Sequence, residues 1–220
     1  MSTLHTQPPF VAGAPLSDAD AALVLVHGRG ASALSILGLA PAILPDAVRP
    51  TTAVLLPEAD GGTWYPYSFL APLAANEPWL GAAVDAVQRT IGSAVEAGIP
   101  HRRIVLAGFS QGACLALETA ARTGAPLAAV AAFSGGLIGS ADRPDGDKSF
   151  DYTTRLDDVP VFIGGAERDA HIPKERMERS ADVLTRLGAH VTLQIRSGDA
   201  HTVTPGEEAT VRALIARALG

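Results

Sequence analysis

Six short apolar runs separated by longer stretches of helical spacing constrain this chain more than any other feature. They are 22–28 (ALVLVHG), 52–58 (TAVLLPE), 103–109 (RIVLAGF), 128–134 (AAVAAFS), 159–165 (VPVFIGG) and 190–196 (HVTLQIR). Most are apolar at nearly every position instead of alternating with polar residues, which is the pattern of strands covered by helices on both faces. Helical spacing is read over 31–44, 77–97, 111–123, 173–187 and 205–219, and the last two segments open with proline, a residue favoured in the first helical turn. Alternating strands and helices predict an α/β architecture with a mainly parallel sheet of six to seven strands, covered by helices on both faces.

The rest of the chain is consistent with one such unit. Its 220 residues, 47% of them hydrophobic, are enough to bury a substantial core. No repeat, low-complexity segment or linker divides them, so a single domain over 1–220 is expected. Two insertions interrupt the rhythm. Residues 58–79 hold Trp64, Tyr65, Tyr67, Phe69 and Trp79, five of the eleven aromatics, which suits either an apolar cluster under a loop or the wall of a ligand pocket. Residues 138–157 are polar and rich in Gly, Asp and Pro, as in a solvated loop or a flap over a site.

Charge and cysteine content exclude several classes of function. Seventeen Lys and Arg against 23 Asp and Glu give a net charge of −6 with no basic block, so neither nucleic acid nor an anionic membrane is an expected partner. Small molecules are. A single cysteine, Cys114, excludes an internal disulfide framework and leaves no Cys/His set at metal spacing. No apolar run is long enough for a membrane span, and the N-terminal residues have no basic start or apolar core of a leader. A cytoplasmic, unprocessed protein is expected.

The chemistry centres on 105–117 (VLAGFSQGACLAL), where Gly108, Ser110 and Gly112 form G-x-S-x-G between a strand and a helix. A turn made within one or two residues leaves no room for side chains at the flanking positions. It holds the Ser110 hydroxyl above the sheet edge, beside the amides of a helix N-terminus. Serine attacks a carbonyl only when a base removes its proton and an acid orients that base. In the chain order of such elbows the acid and the histidine follow the serine. Asp169, after the strand ending in VFIGG, and His201, in the loop after VTLQIR, both stand at C-terminal ends of parallel strands. His171 is the main rival for the base, but two residues from Asp169 on one loop it is poorly placed to bridge from that acid to a serine on another strand, so His201 is favoured and His171 is read as a loop or pocket-rim residue. Asp199 and Glu167 are weaker candidates for the acid, and His190 and His27 read as structural. An oxyanion hole needs two amides: Gln111 after the serine, and one from 25–32 (LVHGRGAS), assigned to Arg29 with Gly30 as its neighbour. Gly30, Trp64, Tyr65, Phe69 and His171 are the expected pocket residues.

Taken together, LVHGRGAS, GFSQGA, GGAERDAHIP and GDAHTV resemble, in content and order, the phospholipase/carboxylesterase family of the α/β-hydrolase superfamily, which includes acyl-protein thioesterases. The likeness spans nearly the whole chain. It implies an α/β-hydrolase fold without a large cap, a Ser110–His201–Asp169 triad, no metal or other cofactor, and ester, thioester or lysophospholipid substrates. Homodimers occur in such families. The aromatic segment GGTWYPYSF and the polar 138–157 insertion depart from the eukaryotic thioesterases. Lactone or carbon–carbon chemistry, as in the similar dienelactone hydrolases, and a non-catalytic small-molecule-binding role on the same scaffold remain open at this point.

Overall fold

The computed structural model describes residues 4–140 and 149–220. Seven strands form one sheet in the order β1-β3-β2-β4-β5-β6-β7. They are β1 (Phe10–Gly13), β2 (Ala21–Val26), β3 (Thr52–Leu56), β4 (Ile104–Phe109), β5 (Ala129–Phe133), β6 (Pro160–Ala166) and β7 (His190–Arg196). All neighbours pair in parallel except β1, which runs antiparallel to β3. The six runs read from sequence are β2 to β7. The additional β1 has only four residues, and its Phe10 and Val11 are exposed at the sheet edge, so it carries no periodic signal.

Every residue of β2, β3 and β5 is buried, because alternate side chains enter two separate cores. Ala22, Val24, Val26, Leu55, Leu106 and Ala132 pack on one face against α4 (Trp79–Glu96), α5 (Gln111–Thr123) and α6 (Lys174–Arg186). Ala21, Leu23, Leu25, Leu56, Val105 and Phe133 pack on the other against α1 (Ala33–Ile36), α2 (Leu39–Ile43) and α7 (Pro205–Leu219). A fully apolar strand is therefore what this sheet requires. Of the described helices, α4 alone reaches 18 residues, and none is long and apolar enough to cross a membrane.

Two helical segments differ from the sequence reading. The expected helix over 31–44 is broken into α1 and α2. Pro41 has no N–H to give to the Leu37 carbonyl, which instead accepts the Ala40 N–H at 3.0 Å in a tighter turn. The segment expected over 77–97 begins at Trp79, and a separate short α3 (Leu73–Asn76) precedes it.

Two buried imidazoles hold the 58–64 loop, His5 from the N-terminal segment and His27 from the end of β2. His5 Nε2–H donates to the Trp64 carbonyl at 3.0 Å, and its Nδ1 accepts the Asp60 N–H at 3.0 Å. His27 Nδ1–H donates to the Gly28 carbonyl at 2.8 Å, and its Nε2 accepts the Ala59 N–H at 3.1 Å. Both rings lie against Trp64, with centroids 5.4 and 5.0 Å away. Each ring uses one nitrogen as acceptor, so protonation would set one N–H against another. Burial is the main cause lowering both pKa values, opposed at His5 by the Trp64 carbonyl and at His27 by the Gly28 carbonyl and Glu58.

The unfolded chain therefore binds protons at these two positions below the ordinary value of 6.5, while the folded chain still resists them. Stability contributed by neutral His5 and His27 is fully present above 6.5 and is lost as pH falls through the lowered folded values. Urea unfolding at pH 7.5, 6.5 and 5.5 should show the midpoint falling between the last two; a flat profile over that range contradicts this account.

Candidate active site

Ser110 sits between β4 and α5 with φ 55° and ψ −119°, a conformation that L residues rarely adopt. Crowding dictates it. A Cβ on Gly108 would lie 2.5 Å from the Gly112 carbonyl carbon, and one on Gly112 would lie 2.2 Å from the Val26 oxygen and 2.5 Å from the His27 oxygen. Helix α5 thus packs directly on the backbone at the end of β2, and glycines are required at both positions. Ser110 N–H donates to the Phe133 carbonyl at 2.9 Å, and the Ser110 carbonyl accepts the Cys114 N–H at 3.0 Å. The turn is tied to β5 and to its own helix.

Asp169 and His201 come to this serine from the ends of β6 and β7. Ser110 Oγ lies 2.8 Å from His201 Nε2, and His201 Nδ1 lies 2.7 Å from Asp169 Oδ2. With an ionised carboxylate as acceptor, the ring proton sits on Nδ1, which leaves Nε2 free to accept the serine proton. Asp169 Oδ1 accepts the N–H groups of His171 at 2.8 Å and Ile172 at 3.2 Å. Burial raises the Asp169 pKa, but bonds from His201, His171 and Ile172 outweigh it and hold the carboxyl below its ordinary value. The His201 ring also stacks obliquely on Phe109, with centroids 5.0 Å apart, and meets the edge of His171 at 4.8 Å.

The loop carrying His201 is held from behind by Arg196 and Glu207. Arg196 Nη2 donates to the carbonyls of Ala200 and Thr202, on either side of His201. Arg196 Nε stands 3.6 Å from Oε2 of the fully buried Glu207, and the same oxygen accepts from Thr204 N–H at 2.8 Å and Thr204 Oγ1 at 2.6 Å. Thr204 and Glu207 form a capping box at the start of α7. The pattern T-P-G-E signals that cap in the sequence, whereas the reach of Arg196 around the loop is a long-range contact without a local signal.

A cavity of about 490 Å³ opens in front of Ser110, lined by residues that include Arg29, Tyr65, Tyr67, Phe69, Phe109 and Ile172. Ser110, Gln111, Cys114, His171 and His201 complete the side nearest the serine. Two expected pocket residues are placed elsewhere. Trp64 is fully buried behind the wall and donates Nε1–H to the His27 carbonyl at 2.9 Å; Gly30 lies off the cavity at φ 72°, where a Cβ would meet nothing within 4 Å. Tyr65, Phe69 and His171 do line it. Cys114 is buried in the core and also lines the cavity, with burial pushing its thiol up to about 12. Glu167 and Asp199 are remote from this chain of bonds: Glu167 pairs with Arg168 at 2.7 Å, and Asp199 is exposed. His190 pairs with Asp158 at the surface at 3.1 Å.

On the turn after β2, the Gly30 N–H donates to the Gly62 carbonyl at 2.8 Å and the Ala31 N–H to the Gly28 carbonyl at 3.3 Å. Of the two amides weighed for the oxyanion hole on this turn, that of Gly30 is thus occupied, while that of Arg29 makes no such backbone bond. The ends of the 138–157 insertion are anchored. Arg176 donates to the Leu137 and Gly139 carbonyls at 2.6 and 2.7 Å, and Glu118 accepts from Tyr152 at 2.8 Å and Ile138 N–H at 3.1 Å. Its polar stretch 141–148, where a flap was one reading, lies outside the described residues. Among the described residues, no group of three or more His, Cys, Asp or Glu is arranged to hold a metal ion.

Comparison with known proteins bears on this arrangement. The model of the phospholipase/carboxylesterase family matches residues 9–217. A solved phospholipase/carboxylesterase from Dyadobacter fermentans is 34% identical, covers 98% of this chain and 99% of its own, and superimposes with a TM-score of 0.88. Acyl-protein thioesterase 1 of Gibberella zeae is 31% identical over 125 residues, which are 57% of this chain. The matched region spans about half, 52%, of that fungal protein's length. SOBER1 of Arabidopsis thaliana, at 17% identity over 91% of this chain and 99% of its own, has a TM-score of 0.75 and shares the fold. The seven-stranded architecture is the α/β-hydrolase fold.

Three substitutions test the local account. Gly112→Ala forces a methyl group into the backbone of Val26 and His27 and should lower stability by about 1–3 kcal/mol in urea unfolding; an unchanged midpoint would show that the elbow has room to relax. Arg196→Met removes the partner of a buried carboxylate and two loop contacts, and should cost about 3–5 kcal/mol. Glu207→Gln keeps an acceptor for Thr204 and should cost less than Arg196→Met in the same measurement.

Proposed function

The chain belongs to the phospholipase/carboxylesterase family, and we propose that it is a serine carboxylesterase. The hydrogen-bonded series from Asp169 through His201 to Ser110, ending at a cavity, is the observation that carries this reading. His201 Nε2 takes the hydroxyl proton as Ser110 Oγ attacks the acyl carbonyl carbon. The ionised Asp169 stabilises the imidazolium and keeps the ring oriented, with its own position secured by the amides of His171 and Ile172. Negative charge gathers on the carbonyl oxygen, where the amides of Arg29 and Gln111 receive it.

Collapse of this tetrahedral species returns the proton from His201 to the departing alkoxide and leaves Ser110 acylated. Water, with His201 again as base, then releases the acid. The cavity supports an ester whose acyl or alcohol part is apolar, since Tyr65, Phe69, Phe109, Ile172 and Cys114 are among the residues that line it. The fungal relative named as a thioesterase makes thioesters a second group to assay.

Hydrolysis of p-nitrophenyl acetate, butyrate, octanoate and palmitate, by wild type and Ser110→Ala in parallel, tests the proposal. Wild type should turn over the shorter esters with a burst of p-nitrophenol, and Ser110→Ala should lose activity by about 10⁴-fold or more. Wild-type rates in Ser110→Ala would overturn the assignment of the nucleophile.

A further inference from the structure

The two residues whose amides face the expected oxyanion have side chains that both grip the same short piece of backbone. Gln111 Oε1 accepts the Trp64 N–H at 3.0 Å, and Gln111 Nε2 donates to the Tyr65 carbonyl at 2.9 Å. Arg29 Nη1 donates to the Pro66 carbonyl at 2.9 Å, and Nη2 to the Tyr67 carbonyl at 2.7 Å. Four consecutive residues, 64 to 67, are thus each held by one backbone bond from an oxyanion-hole residue. Tyr65, Pro66 and Tyr67 are also the cavity wall, and the Arg29 guanidinium carbon stands 5.9 Å from the centre of the Tyr65 ring.

The two amides differ in how else they are held. Gln111 begins a 13-residue helix buried along almost its whole length, so its N–H is fixed without help from its side chain. Arg29 lies between Gly28 and Gly30, on a turn whose Gly30 has φ 72° and open space around it. Glycines permit many peptide orientations, and an amide that rotates away from the developing charge loses much of its effect. The forked bond of Arg29 to Pro66 and Tyr67 removes that freedom.

Resting on the esterase reading above, we propose that the Arg29 and Gln111 side chains are positioning residues that couple the aromatic wall to the oxyanion hole. Arg29 sets the orientation of its own amide by holding the wall, and Gln111 sets the wall relative to the serine. Substrate contact with residues 65–67 then acts on the reacting carbonyl, so that it changes kcat and not KM alone. This is how binding energy at a remote group is used in the transition state. A side chain that only built the wall would affect KM for esters that reach it and leave small esters untouched.

The test is steady-state kinetics of wild type, Arg29→Ala, Arg29→Lys and Gln111→Met on p-nitrophenyl acetate and p-nitrophenyl octanoate, with Ser110→Ala alongside. All three substitutions preserve the backbone N–H, and Arg29 is exposed, so its variants should retain the wild-type melting transition. Arg29→Ala should lower kcat on the acetate, which is too short to use the wall, by about 10-fold with KM within about 2-fold, a fraction of the loss of a whole oxyanion donor. Arg29→Lys keeps the charge but reaches one carbonyl and should recover only part of the rate. Gln111→Met should reduce the advantage in kcat of octanoate over acetate.

Wild-type kcat on the acetate in Arg29→Ala, or a change confined to KM for the octanoate, overturns the coupling while leaving the esterase intact. Full rescue by Arg29→Lys would assign the effect to charge and overturn it as well. Absence of Ser110-dependent turnover in wild type defeats the esterase reading and the coupling with it, and the Ser110→Ala control distinguishes that result from the others.

Discussion

The close approach of α5 to the end of β2 is the constraint on which the site depends. With a Cβ on Gly112 reaching to 2.2 Å from the Val26 oxygen, the helix touches the strand's backbone and not its side chains. That contact decides how sharply the chain must turn after β4, and hence the positive φ of Ser110. The strain is of order 1–3 kcal/mol, and two cores on either side of a fully covered sheet sustain it. The same packing brings the carbonyl of His27, the amide of Arg29 and the N-terminus of α5 around one point. The turn that presents the Ser110 hydroxyl to the cavity follows from this single tight crossing.

Around that point the polar groups are arranged so that each loop is held by a charge or by an amide, since loops lack the ladder bonds that fix strands. Asp169 accepts two amides of its own loop as well as His201. Arg196 and Glu207 brace the His201 loop, and Arg176 and Glu118 brace both ends of the second insertion. Arg176 also lies over the rings of Phe69 and Phe150, 5.6 and 5.3 Å from their centres, so the far wall of the cavity rests on a buried cation. These groups are costly to bury, and their bonds to backbone make the cost tolerable.

Much of the fold was legible because buried parallel strands have an unmistakable composition. The runs at β2 to β7 were found within one or two residues at most ends, while β1 escaped because a four-residue edge strand with outward Phe10 and Val11 looks like any extended tail. Pro41 interrupts the helical spacing over 31–44, because it lacks the N–H that the Leu37 carbonyl would otherwise accept. The aromatic insertion was ambiguous for a physical reason: Trp64 is core while Tyr65 and Phe69 face the cavity, and adjacent residues of one irregular loop give no periodic sign of which way each will turn.

Local pattern is enough to give the order of β2 to β7, their parallel pairing and the chemical candidates. Ser110, Asp169 and His201 are identifiable because a glycine-flanked turn and the ends of parallel strands are local features with fixed chemical consequences. The distances those candidates adopt, and the bonds of the Arg29 and Gln111 side chains to residues 64–67, come from tertiary packing alone. Such contacts join positions 32 to 91 residues apart. They are set by how the cores pack the elements together, and no local periodicity encodes them.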